Sequence, residues 1–114
     1  MAIVRPNNLS TPVVSGTVTA GTPGISWSGI TGATYYQVWR QWYDYVSGTG
    51  SNGWEYLGHQ SSTFWDSQMT VDLYTGTTIP NFSTEGWVTY KVIAFNSADV
   101  SGESTQKYFR LAPP

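Results

Sequence analysis

The sequence predicts an all-β chain, a sandwich of about seven antiparallel strands in two packed sheets. Three observations predict it. Aromatic and β-branched residues alternate with others in TYYQVWRQWY at 34–43 and WVTYKVIAF at 87–95, so residues i, i+2 and i+4 share a face. Clusters of Gly, Pro, Ser and Asn punctuate these runs at short intervals. No segment of helical length repeats apolar residues at i, i+3, i+4 and i+7.

The elements follow in order. Residues 1–12 read as an N-terminal arm, with Pro6 and the pair Asn7-Asn8, and residues 13–114 as the sandwich domain. A strand over 13–19 ends at the turn TAGTPG, and a short strand over 25–28 puts Ile25 and Trp27 on one face. After GITGA comes the longest alternating strand, 34–43. The loop SGTGSNG at 47–53 carries few side chains, which predicts mobility. WEYL at 54–57 is a strand that Gly58 ends, and His59 falls in the turn beyond it. Shorter strands are expected over 63–65 and 69–74, with TGTTIPN and Phe82 after them. The final pair, 87–95 and 105–111, is joined by NSADVSGES.

Composition narrows the function. Charged residues make up 11% of the 114-residue chain, against roughly a quarter in ordinary domains, while aromatics reach 16%. The basic residues Arg5, Arg40, Lys91, Lys107 and Arg110 are scattered and the net charge is −2, which gives no footprint for nucleic acid or an anionic membrane. Cysteine is absent, so neither a disulfide nor a thiolate metal site can form. No run of apolar residues is long enough to span a bilayer as a helix. The N-terminus MAIVRPNNLSTP has no basic region followed by an apolar one. The expectation is a chain used without export, or one excised from a longer protein.

Catalysis needs convergent acids and bases in a pocket, and the sequence offers no such set. His59 is the single histidine, and Asp44, Glu55, Asp66, Asp72, Glu85, Asp99 and Glu103 are dispersed without a calcium-loop spacing. Asp66 is expected to cap a turn after its strand. No nucleophile elbow, phosphate loop or HExxH occurs. The chain is therefore read as non-enzymatic, with no catalytic residue, metal or cofactor.

Three segments, ISWSGITGATYYQVWR at 25–40, WEYLGHQSSTFWD at 54–66 and TYKVIAFNSADVSGES at 89–104, resemble a fibronectin type III domain of the bacterial and bacteriophage kind. The resemblance covers roughly residues 13–111 and implies an immunoglobulin-like sandwich. It makes Trp27 the core tryptophan, Tyr36 and Val38 the inward pair of the long strand, and Tyr90, Val92 and Ala94 the inward face of the later one. Two departures stand out. The stretch 67–86 is longer than the family's usual connection, and no Leu precedes Tyr90 at the familiar distance.

If Tyr36 and Val38 point inward, then Tyr35, Gln37, Trp39, Gln41 and Tyr43 point outward, as do Thr89, Lys91, Ile93 and Phe95. The resemblance makes these two strands neighbours. Tyr35, Trp39, Tyr43, Ile93 and Phe95 are then the candidate binding residues of a sparsely charged outer face. A competing expectation is that loops 44–53 and 67–86, with Tyr45 and Phe82, cover this face. The partner expected is protein, either other virion subunits or a second copy, with surface glycan as another class. The setting expected is a bacteriophage virion, as a capsid decoration or tail-associated subunit made in the host cytoplasm. The alternative is an extracellular accessory module, carbohydrate-binding or spacer, of a polysaccharide-degrading enzyme.

Overall fold

The computed structural model describes residues 5–79 and 85–113, with His59 and Gln60 described through their backbone alone. Phe82 lies outside the described residues. The strands are β1 (Asn7–Leu9), β2 (Ser15–Thr19), β3 (Thr22–Ser26), β4 (Tyr35–Asp44), β5 (Thr49–Gly50) and β6 (Glu55–Gln60). They continue with β7 (Thr63–Trp65), β8 (Val71–Gly76), β9 (Gly86–Phe95), β10 (Val100–Ser101) and β11 (Lys107–Leu111). Among the described residues there is no helix.

Two sheets form. In the smaller, β2, β3 and β7 pair antiparallel in that order. The β2–β3 hairpin turns through Ala20 and Gly21, whose positive φ values of 49° and 81° suit the tight turns that match strand twist. In the larger, β9 pairs with β4 along its whole length, from Tyr35 opposite Phe95 to Asp44 opposite Gly86. β5 and β6 flank β4 on its other side. β11 lies beside β9, and β8 beside β11. The short β10 meets β9 at Phe95, and β1 runs parallel to β10.

The inner faces meet in one core: Val14, Ile25, Trp27, Val38, Val71, Val88, Tyr90, Val92 and Phe109. Inward alternation produces it. Val38 pairs with Val92 across the strands, and both are fully buried. Tyr36 packs edge-on against Trp27 at 5.3 Å between ring centroids, and its hydroxyl accepts the Ile30 amide proton at 2.8 Å. Burying large side chains such as Tyr90 and Phe109 contributes roughly 1.5–3 kcal/mol each relative to exposure.

Four local expectations are corrected. Gly58 does not end a strand: with φ of 101° it continues β6, and a register shift sets one extra residue of β6 against β4 between Gln37 and Trp39. His59 therefore lies within β6 opposite Gln37, not in a turn. The arm is not separate from the sandwich, because β1 extends the larger sheet, and Asn8 Nδ2 donates to Asp99 Oδ1 at 2.9 Å. The long stretch after Asp66 builds β8, which covers the outer edge of β11. Its strand runs from Val71 to Gly76 where 69–74 was expected.

Candidate functional site: the outer face of the larger sheet

The β4–β9 register fixes which side chains share the outer face. Tyr35 stands opposite Phe95, Gln37 opposite Ile93, Trp39 opposite Lys91, Gln41 opposite Thr89 and Tyr43 opposite Trp87. At about 3.4 Å per residue these rungs extend over roughly 27 Å. Tyr35, Trp39, Tyr43, Ile93 and Phe95 thus lie on one face of two adjacent strands. All of them are half-buried.

Their neighbours account for that partial burial. Tyr35 and Phe95 stack nearly parallel, 2° apart with centroids at 5.4 Å, and the Arg5 guanidinium lies 5.6 Å from the Phe95 centroid. Trp39 packs against Tyr56 at 4.9 Å. Lys91 places its ammonium 4.2 Å from the Trp54 ring and bonds Glu103 at 2.6 Å, so this cation is already paired. Tyr43 meets Tyr45 edge-on at 5.1 Å, and Trp87 meets Tyr108 at 5.8 Å. Tyr45 is the cover expected from loop 44–53, and it meets Tyr43 at this end of the face.

Thr89 departs from its expected exposure. Its position alternates outward, yet it is fully buried, with Tyr108 as its cross-strand neighbour and Gln106 Oε1 accepting its hydroxyl proton at 3.4 Å. The Trp39 Nε1 proton is also buried and meets no acceptor. Sequence reasoning missed Trp87, Tyr56, Trp54 and Arg5 as members of this face. Trp87 was legible, since it shares parity with Thr89, Lys91, Ile93 and Phe95. Tyr56 was not, because the extra residue at the β6 bulge decides what stands opposite Trp39.

Beneath this face lies a buried ionic network. Arg40 is inward on β4 and 6% exposed. Its Nη1 donates to Asp66 Oδ1 and Oδ2 at 3.0 and 2.8 Å and to Gln68 Oε1 at 3.0 Å, and its Nε donates to Glu55 at 2.9 Å. The Tyr90 hydroxyl donates to Asp66 Oδ2 at 2.6 Å. Asp66 also takes the Gln68 amide proton at 3.1 Å, so it caps its turn as expected while serving the buried pair. Burial works against the Arg40 charge, and the hydrogen bonds and charges of Asp66 and Glu55 outweigh it and raise its pKa. Burial, reinforced by the Asp66 charge, pushes the Tyr90 phenol far above its ordinary value. Arg40 Nε, Arg40 Nη1 and the Tyr90 hydroxyl each have an acceptor here. The network is a structural clamp between β4, β9 and the segment after β7. Among the described residues, no three of His, Asp and Glu converge as a metal cluster.

No family model and no curated protein matches the chain. Among solved structures, it is similar to the solution structure of the fibronectin type-III domain of human fibronectin type III domain containing protein 3. Identity is 15%, the match covers 100% of this chain and 93% of that one, and the TM-score is 0.51. Such likeness concerns backbone architecture, which hosts many functions. The two-sheet topology, the inward Tyr36–Val38 and Tyr90–Val92–Ala94 sets and this match agree: the chain has the fibronectin type III fold.

Proposed function

We propose that the chain is a non-enzymatic binding module that docks a protein partner through Tyr35, Trp39, Tyr43, Ile93 and Phe95. The observation that carries this reading is the register that lines these residues up as rungs of one aromatic face. Aromatic enrichment with depleted charge marks the cores of protein interfaces. Lys91 and Arg5 are drawn onto rings, which leaves the face apolar in character.

The setting we propose is a bacteriophage virion, as a capsid decoration or tail-associated subunit made in the host cytoplasm, with other virion subunits or a second copy as partner. Support comes from the sparse charge of the chain and its resemblance to bacteriophage modules. The test is the solution mass of the full chain by light scattering across concentration, beside a Trp39→Ala, Phe95→Ala double variant. Association of the wild type with a folded, monomeric variant supports self-assembly through this face. A variant that associates as the wild type does removes the face from the interface.

A further inference from the structure

A second aromatic site lies on the opposite sheet. Trp65, on β7, is 46% exposed, although its ring rests on the backbone of the neighbouring strand. A Cβ built on Gly24 would fall 2.6 Å from Trp65 Cε3 and Cζ3 and 3.0 Å from Cδ2. Gly24 is thus the floor of the indole. That contact covers part of the ring, and about half of the residue stays open to solvent.

Beside it is a shallow, open groove of about 210 Å³ lined by Leu57, Phe64, Trp65, Asp66, Ser67 and Gln68. The groove is open to solvent, so a ring laid against the indole can keep its far side in water. Its polar groups are already oriented. Arg40 only donates hydrogen bonds, so the Gln68 atom 3.0 Å from its Nη1 is Oε1, and the amide NH₂ remains as a fixed double donor. The Gln68 backbone is held in turn by Asp66. Ser67 adds an exposed residue with a hydroxyl. The lining charge is spent: Asp66 is occupied by Arg40, Tyr90 and the Gln68 amide.

We infer that Trp65, Gln68 and Ser67 form a binding site for one neutral hexopyranose unit of a glycan. A pyranose presents a face of C–H groups, which packs on the electron-rich face of an indole, and a rim of hydroxyls, which needs fixed donors and acceptors. An acidic sugar would need an uncommitted cation, and Arg40 is committed to Asp66 and Glu55. The site uses residues of β7 and the segment after it, none of which belongs to the outer face of the larger sheet, so it stands independently of the docking proposal.

The test is titration of the ¹⁵N-labelled full chain with methyl β-glucopyranoside, methyl β-galactopyranoside and methyl α-mannopyranoside, with open-chain sorbitol as control. The expected result is a saturable shift of the Trp65 indole N–H and the Gln68 side-chain amide with at least one pyranoside, and none with sorbitol. Gln68→Ala and Trp65→Ala each weaken binding at least about tenfold. Because Trp65→Ala uncovers Gly24, Gln68→Ala alone decides the matter if the tryptophan variant loses its folded spectrum. No saturable shift, an equal response to sorbitol, or shifts confined to Tyr35, Trp39 and Tyr43 would overturn the site.

Discussion

Arg40 and Asp66 show how much a single position owes to residues far along the chain. Alternation places Arg40 on the inward side of β4 with Tyr36, Val38 and Trp42, but nothing local announces that Asp66, 26 residues later, will meet it. The sequence reads Arg40 as one of several scattered bases for that reason. Its burial is a tertiary outcome. Removing one partner leaves the other as an uncompensated buried charge, so Asp66→Asn is expected to lower stability by about 3–5 kcal/mol in urea denaturation. Tyr90 supplies a pH test. Its folded pKa lies above its unfolded value of about 10, so its contribution is complete below pH 10 and is lost as the unfolded chain ionises at higher pH. Between about pH 10 and 11 the stability of Tyr90→Phe should therefore fall less steeply than that of the wild type, by up to about 1.4 kcal/mol per pH unit. Equal slopes would mean that Tyr90 is not held protonated by its site.

Among the elements, the long strands were legible and so was the presence of β8, whereas the bulge and the place of β8 in the sheet were not. Alternation over 34–43 and 87–95 is strong enough to give β4 and β9 within one residue at each end. Gly58 carries the usual signal of a strand end, and only pairing with β4 turns that signal into a bulge. In β8 Leu73 is 86% exposed, so its alternation says little about which sheet receives it. The extra length after Asp66 was visible in the sequence, whereas its place beside β11 required the third dimension. Gly86 tests the β4–β9 register. At φ of 150°, a Cβ there would lie 2.3 Å from the Tyr43 carbonyl oxygen, which β-sheet pairing holds in place. Gly86→Ala should cost more than about 2 kcal/mol by thermal or urea unfolding. A neutral substitution would show that the strands open at this end.

At the scale of the molecule, the sandwich presents two dissimilar aromatic surfaces. The larger sheet stacks its rings on one another along β4 and β9, whereas the smaller sheet lays one exposed indole over a glycine. The first was legible, because parity names Tyr35, Trp39, Tyr43, Ile93 and Phe95 once the two strands are neighbours. The second was not, because Gly24 and Trp65 meet only through the β3–β7 register. The central claim is that the outer face of the larger sheet is the docking surface. Hydroxyl-radical footprinting of the chain, free and in its assembly, tests it most directly, since oxidation reports ring exposure position by position. The account predicts that Tyr35, Trp39, Tyr43 and Phe95 lose reactivity on assembly while Trp65 and Leu73 keep theirs. Protection of Trp65 or Leu73 with the β4 and β9 rings unchanged would contradict it.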